Sequence, residues 1–118
     1  MIRIENIYIN KKKDIILPSE MNIEDNQITL IKGPSGSGKT LLLYLVGLLE
    51  PLNNTQYYFD NILINQLNQK QLYEIKKNYI SFVFQDNSLI EYATIYENYL
   101  IVSKMHNIPY SEEKCKDL

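Results

Sequence analysis

The chain reads Gly33-Pro34-Ser35-Gly36-Ser37-Gly38-Lys39-Thr40 near its first third, and three of its four glycines lie in this stretch. The stretch matches the phosphate-binding loop pattern G-x-x-x-x-G-K-[ST] at every specified position. Glycine allows the backbone angles and close approach that let successive N–H groups turn inward around a polyphosphate. The sequence therefore predicts that these eight residues bind the phosphates of a nucleotide.

The flanks of this loop support the prediction. The run 27–32 is expected to be a strand that enters the loop, and 41–49 a helix that leaves it. Such a helix adds its N-terminal N–H groups and the positive end of its dipole. Lys39 would reach the β- and γ-phosphates, and the Thr40 hydroxyl would take a place on Mg²⁺. An ordinary glycine-rich turn before a helix is the simpler explanation, but it does not account for the whole pattern.

Composition limits the class of protein. The net charge of −2 argues against a nucleic-acid partner, which would need a basic face. A single cysteine excludes an internal disulfide and fits a reducing compartment. The longest apolar run, 41–49, is far shorter than the roughly 20 residues of a membrane-spanning helix. We therefore expect a soluble, cytoplasmic protein.

The first part of the chain is predicted to be largely β-structure. Apolar residues alternate over 2–9, with a change of phase near Asn6 that suggests a bulge. Alternation resumes over 21–23 before the strand expected at 27–32. This pattern predicts several short strands ahead of the loop.

Further elements follow the loop. The helix over 41–49 is apolar nearly all round, which predicts burial on most sides, and Pro51 is expected to end it. Short strands at 57–59 and 62–64 are expected to form a hairpin about Asp60-Asn61.

The second half contains two helix starts of the same kind. Asn68 with Gln71, and Thr94 with Glu97, each have capping-box spacing. A strongly β-forming run is expected at 79–84, between the two helices, and one more helix start near residue 112. The apolar face of the helix after Thr94 is predicted to consist of Ile95, Tyr99, Val102 and Met105.

Taken together, these features resemble the nucleotide-binding domain of an ABC transporter. The phosphate loop carries part of the resemblance. Phe82-Val83-Phe84-Gln85, followed by Leu89-Ile90 and by Thr94-Ile95-Tyr96-Glu97-Asn98, is similar to the segment that this family calls the Q-loop. The spacing of 45 residues from Thr40 to Gln85 also suits the family. Within the family, the resemblance is greatest to bacterial exporters of lipoproteins, peptides and bacteriocins.

The resemblance implies an α/β fold of the P-loop NTPase class, with a RecA-like core and an amino-terminal antiparallel β-subdomain, present incompletely. Residues 1–118 would form the amino-terminal part of the domain. The phosphate loop would lie at 33–40, the Q-loop-like segment at about 85–93 and the start of a helical subdomain at about 94–118.

The resemblance also implies a function, which is to bind ATP with Mg²⁺ and power transport. Gln85 would contact Mg²⁺ or the attacking water at the γ-phosphate. Residues 86 to about 105 would face a membrane-embedded transporter subunit at the inner face of the cell membrane, and two such domains would pair as a dimer. The adenine-stacking position falls on Asn10, with Tyr8 nearby.

Two interpretations remain open at this point. The 118 residues contain no LSGGQ-like stretch, no apolar strand ending in Asp-Glu and no later switch histidine. The first interpretation is therefore an amino-terminal part of an ABC-type ATPase, truncated or split, that is inactive alone. The alternative is a self-sufficient small P-loop nucleotide-binding protein or nucleotide kinase. A kinase needs arginines to clamp the transferred phosphate, and Arg3 is the only arginine, which favours the first.

Overall fold

The computed structural model describes residues 1–8, 18–86, 88–109, 111 and 113. They divide into two compact units, Met1–Lys76 and Lys77–Leu118. The adenine-stacking position at Asn10 lies outside the described residues, and so does most of the helix expected from Ser111-Glu112-Glu113 onward.

The first unit contains a four-stranded antiparallel sheet. Its strands are β1 (Ile2–Glu5), β2 (Glu20–Ile23), β3 (Gln56–Phe59) and β4 (Ile62–Leu63), in the spatial order β2-β1-β3-β4. Ile4 lies at the centre, opposite Met21 on β2 and Tyr57 on β3. The antiparallel β-subdomain expected from the sequence is thus confirmed.

The strand predicted over 2–9 is interrupted where the alternation changes phase. β1 ends at Glu5, and Asn6 has a left-handed backbone with φ of 53°. The Ile7 N–H still donates to the carbonyl oxygen of Ser19 at 3.1 Å, so one pairing forms beyond the irregular residue. This is the local effect of a bulge, which leaves one residue of a strand unpaired.

The hairpin predicted about Asp60-Asn61 is confirmed. Phe59 pairs with Ile62, and the two residues between them have φ of 46° and 66°. Positive φ at both central residues is the geometry of a type I′ turn, which suits the twist of a two-residue hairpin. Ile64, expected in the second strand, instead begins a 3₁₀ turn, Ile64–Gln66.

The helix that follows the phosphate loop, α1 (Lys39–Val46), is shorter than predicted. It ends at Gly47, and Leu48 takes a left-handed φ of 55° while the Leu49 N–H donates to the Tyr44 carbonyl oxygen at 2.8 Å. This closed turn satisfies a terminal carbonyl, so the helix ends before it reaches Pro51. The prediction that Pro51 ends it was wrong.

Burial of α1 is also less complete than predicted. Leu42 and Leu45 are buried, but Leu43 is exposed by 44%. Among the described residues of the first unit, the buried apolar ones are Ile4, Leu42, Leu45, Leu48, Tyr57 and Ile64. The hydroxyl of Tyr57 donates to the Val46 carbonyl oxygen at 2.8 Å, which ties the end of α1 to β3. Burial raises the pKa of this hydroxyl.

Two predicted strands are not formed in the described structure. The run 27–32 has no strand ladder, and the side chains of Ile28 and Leu30 are 100% and 70% exposed. In the second run, Tyr79 instead ends α2 (Gln69–Tyr79), and residues 80–84 are not in a strand. A strand needs a neighbour for its N–H and C=O groups, and β-forming sequence alone does not supply one.

Both predicted capping boxes are confirmed. At the start of α2, the Gln71 N–H donates to Asn68 Oδ1 at 2.9 Å, and the Asn68 N–H donates to Gln71 Oε1 at 3.0 Å. At the start of α3 (Ile95–Met105), the Glu97 N–H donates to Thr94 Oγ1 at 3.2 Å and the Thr94 N–H donates to Glu97 Oε2 at 2.7 Å. Each pair satisfies two N–H groups that a helix start would otherwise leave free.

The apolar face predicted for α3 is not a buried face. Ile95, Val102 and Met105 are each more than half exposed, whereas Ser103 is the buried residue of this helix. No helix in the described part of the chain is long and apolar enough to cross a membrane.

Candidate functional site

The phosphate loop turns at two glycines, and α1 begins directly after the second of them. Gly36 has φ of 77°, and Gly38, the N-cap of α1, has φ of 95°. Residues other than glycine rarely adopt these left-handed backbone angles. The two glycines therefore let the chain turn so that α1 begins at Lys39, directly after the loop.

The loop is closed upon itself at Pro34. The Pro34 carbonyl oxygen accepts hydrogen bonds from the Ser37 N–H at 3.3 Å and from Ser37 Oγ at 2.7 Å. A Cβ atom added to Gly33 would lie only 2.8 Å from that same Ser37 Oγ. Glycine is thus required at position 33 by close contact, and at positions 36 and 38 by backbone angle.

Lys39 is held across this loop. Its Nζ donates to the Pro34 carbonyl oxygen at 2.7 Å. An ammonium group has three donors, so this contact leaves others for a phosphate oxygen. The Lys39 ammonium group thus lies against the loop that precedes α1. The unpaired N–H groups at the start of this helix already favour an anion.

The start of α1 offers no competing negative charge. Its N-cap, Gly38, has no side chain, and its first turn contains no acidic residue. Acidic side chains in a first turn would occupy the N–H groups and neutralise the dipole. The N-terminus of α1 is therefore open to a ligand anion.

A pocket of about 290 Å³ lies beside the loop and is lined by Thr29, Ile31, Lys39, Thr40 and Leu43. Thr29 and Ile31 alternate with the exposed Ile28 and Leu30. The residues that line the pocket thus combine apolar side chains with one ammonium group and two hydroxyl groups.

The potential metal ligands beside the pocket suit a Mg²⁺ ion that is bound together with phosphate. Among the described residues there is no group of three or more His, Cys, Asp or Glu side chains that could hold a metal ion. Mg²⁺ usually keeps several waters and takes few protein ligands besides substrate phosphates. The Thr40 hydroxyl, exposed at the pocket, is a suitable protein ligand of that kind.

Gln85, the site residue predicted after the second β-forming run, belongs to the second unit and is exposed. Tyr8 is 48% exposed, and its N–H donates to Thr55 Oγ1 at 2.9 Å. Thr55 was not predicted from the sequence; it is fully buried, and its hydroxyl fixes the backbone at Tyr8. A lone threonine ahead of a strand carries no signal of this in the sequence.

The segment predicted to face a membrane partner, residues 86–105, carries many exposed apolar side chains. They are Leu89, Tyr92, Ile95, Tyr96, Ile101, Val102 and Met105. Exposed apolar residues gathered in one segment are typical of an interaction surface.

Comparison with known proteins identifies the family. The profile described as ABC transporter matches residues 17–118. The ABC transporter ATP-binding protein MJ0796 of Methanocaldococcus jannaschii is 36% identical over 103 residues, which cover 83% of this chain and 44% of that protein. The lipoprotein-releasing system ATP-binding protein LolD of Bacteroides fragilis is 30% identical, covering 82% and 45%. The bacitracin export ATP-binding protein BceA of Halalkalibacterium halodurans is 28% identical, covering 91% and 43%.

Solved structures agree with this result. The dimeric structure of the ATP-binding cassette MJ0796 bound to ADP and Pi has a TM-score of 0.75 to this chain, at 30% identity. The match covers 99% of this chain and 53% of that one, so the chain spans about half the length of the relatives it matches. The matches give no support to a self-sufficient small P-loop protein or nucleotide kinase. The chain belongs to the ABC transporter family, and it corresponds to part of that family's ATP-binding domain.

Proposed function

We propose that the chain binds ATP with Mg²⁺ through residues 33–40 and supplies this binding to an ABC-type transporter. The observation that carries the proposal is the shape of the loop. Three hydrogen bonds, two of them from Ser37 and one from Lys39, converge on the Pro34 carbonyl and close the loop directly before the open N-terminus of α1.

Each part of the loop has a proposed task. The backbone N–H groups of Gly33, Ser35, Gly36, Ser37 and Gly38 would surround the β-phosphate, and that of Ser37 would leave the Pro34 carbonyl oxygen to do so. Pro34 has no N–H group and would only shape the loop. Lys39 would exchange its Pro34 contact for oxygens of the β- and γ-phosphates. Thr40 would donate its hydroxyl oxygen to Mg²⁺, which would offset phosphate charge.

Gln85 is proposed to act at the γ-phosphate end, as a ligand of Mg²⁺ or as the side chain that orients the attacking water. Its exposed amide offers an oxygen for a cation and an N–H group for a water. The support for this role is its place after Phe82-Val83-Phe84, which resembles the Q-loop of the family.

The proposed division of the chain follows its resemblance to the ATP-binding domain of the family. The phosphate loop occupies 33–40, the Q-loop-like segment about 85–93 and the start of a helical subdomain about 94–118. The exposed apolar side chains of residues 86–105 would contact a membrane-embedded subunit. The protein would then lie at the cytoplasmic face of the cell membrane. A second ATP-binding domain would complete a dimer, as in the dimeric MJ0796 structure.

An exporter is the transporter class that the relatives favour. BceA is named for bacitracin export, LolD for lipoprotein release, and MacB of Campylobacter jejuni, 33% identical over 99 residues, for macrolide export. We propose outward transport on that basis.

Nuclear magnetic resonance can test where the nucleotide binds. Mg-ATP should shift the backbone amide signals of residues 35–40 most, because these N–H groups would point at the phosphates. AMP, which lacks the β- and γ-phosphates, is the matched control and should shift them far less. Equal shifts with AMP, or shifts confined to other residues, would contradict the proposal.

A further inference from the structure

The carboxamide of Asn98, in the second turn of α3, contacts the loop that precedes this helix. Its Oδ1 accepts from the Ile90 N–H at 2.8 Å, and its Nδ2 lies 3.2 Å from the Ile90 carbonyl oxygen. The same Nδ2 lies 3.2 Å from the Ala93 carbonyl oxygen and 3.0 Å from that of Thr94. One side chain thus reaches four backbone atoms of the loop.

The contact with Ile90 uses both polar groups of that residue's backbone. A side-chain amide that accepts from an N–H and donates to the C=O of the same residue does what a neighbouring strand would do. The two Nδ2 hydrogens are shared among three carbonyl oxygens. The Ala93 N–H also donates to the Ile90 carbonyl oxygen at 3.0 Å, which closes the loop between them.

Apolar packing covers only part of this loop. Ile90 and Ala93 are half-buried, whereas Glu91 is exposed and the Tyr92 side chain is 96% exposed. Asparagine is also a weaker helix former than alanine, because its side chain competes for backbone groups. Position 98 therefore serves the loop at some expense to the helix that contains it.

We propose that Asn98 is a positioning residue that holds residues 90–94 in a single conformation and so presents Tyr92 to the membrane-embedded partner. The contact of the loop with a partner rests on the proposed function, while the fixed conformation of the loop rests on the four hydrogen-bond contacts of Asn98. A rigid loop loses little conformational entropy on binding, and a projecting tyrosine is among the side chains that most often anchor protein interfaces.

Hydrogen exchange at single amides tests this role. In Asn98→Ala, the Ile90 amide should exchange about tenfold faster, which corresponds to about 1.4 kcal/mol and to the loss of one or two net hydrogen bonds. The His106 amide, which donates to the Val102 carbonyl oxygen at 3.1 Å near the end of α3, should keep its rate. Alanine favours the helix, so a role in the helix alone predicts no loosening.

A second pair of variants separates the loop from the fold. The chain contains no tryptophan, so Tyr92→Trp places a single tryptophan on the loop, which can be excited selectively over the tyrosines and serves as the reporter. Adding Asn98→Asp keeps the acceptor for the Ile90 N–H but sets an oxygen against three carbonyl oxygens, and it should lower the fluorescence anisotropy of the reporter. Adding Lys104→Ala, on the exposed surface of α3, should leave the anisotropy unchanged.

The outcomes are distinct. An unchanged Ile90 exchange rate in Asn98→Ala, or an equal rise at Ile90 and His106, overturns the positioning role. A selective rise at Ile90 supports it. Asn98 is not part of the phosphate loop, so Mg-ATP mapping of residues 35–40 in the same variant shows separately whether the proposed function fails.

Discussion

Gly33 and Ser37 approach so closely that a single added carbon at Gly33 would lie 2.8 Å from Ser37 Oγ. That oxygen is not free to move without cost, because it donates to the Pro34 carbonyl at 2.7 Å. The first glycine of the loop therefore keeps the space in which Ser37 closes the loop.

Gly33→Ala should weaken Mg-ATP binding, because Ser37 Oγ must leave Pro34 or the loop must open. The expected loss is about one net hydrogen bond, 0.5–1.5 kcal/mol. Ser37→Ala removes both the hydrogen bond and the obstruction, so the double variant should bind no worse than Ser37→Ala alone. Strictly additive losses in calorimetric titration would show that the two positions do not interact.

Substitution should affect stability strongly at Leu45 and little at Ile28, since Leu45 is fully buried and Ile28 is fully exposed. Leu45→Ala should destabilise the first unit by about 2–5 kcal/mol, as large-to-small changes in a core do. Ile28→Glu should change stability by less than about 0.5 kcal/mol and should reduce aggregation, because it places charge on an exposed β-forming segment. Denaturant unfolding and light scattering measure the two effects.

We expect the parent chain, in contrast, to be aggregation-prone or partly molten unless a partner covers the run 27–32. A sharp, reversible thermal transition of the pure monomer would contradict this expectation. So would an Ile28→Glu variant that loses as much stability as Leu45→Ala, because Ile28 would then be buried in solution.

The helix start at Thr94 should depend on pH. Hydrogen bonds from the backbone N–H of Thr94, and then from its hydroxyl, hold the pKa of Glu97 below its ordinary value of 4.5. A carboxyl with a lowered pKa in the folded state adds stability that is complete above its unfolded pKa and disappears as the pH falls through the folded one. Helicity of the second unit should therefore decrease on acidification below about pH 4.5.

Glu97→Gln is the control for this effect. Glutamine can complete a capping box but does not titrate, so circular dichroism of this variant should change less over the same pH range. An identical pH profile for the two proteins would show that other carboxyls cause the change.

Several features of the fold could be predicted because each depends on neighbours in the sequence. The two capping boxes need only a pair of residues three apart, and the hairpin needs only Asp60-Asn61 with their tolerance of positive φ. The phosphate loop is of the same kind. Its glycines stand at the positions where backbone angle or close contact requires them.

The features that sequence could not predict depend on distant partners. The β-forming runs at 27–32 and 80–84 are not strands here, since forming a ladder depends on a neighbouring strand and not on propensity alone. α1 ends at Gly47 and Leu48 because that turn closes well, although Pro51 was the stronger local signal. The contacts of Asn98 were also missed; its only signal was a poor helix former placed four residues after the capping Thr94.

ATP hydrolysis by the 118-residue chain alone should not exceed background. Hydrolysis requires a group that accepts the proton of the attacking water, in addition to a bound phosphate. Gln85 could orient that water, but an amide does not accept a proton at neutral pH, and no glutamate follows an apolar strand after it. General base catalysis is worth about 10²–10⁴-fold. Phosphate release at about one per second that disappears in Lys39→Ala would contradict this prediction.

Calorimetric titration of Mg-ATP into the parent chain and into Lys39→Ala tests the central claim, that residues 33–40 bind the nucleotide. The substitution removes the ammonium group that now contacts Pro34 at 2.7 Å, and charge-assisted contacts of this kind are worth about 1.5–3 kcal/mol. The account predicts an affinity about 10- to 150-fold lower, with no change in Lys70→Ala, which removes an exposed lysine from α2. Binding that is the same in all three proteins would contradict it.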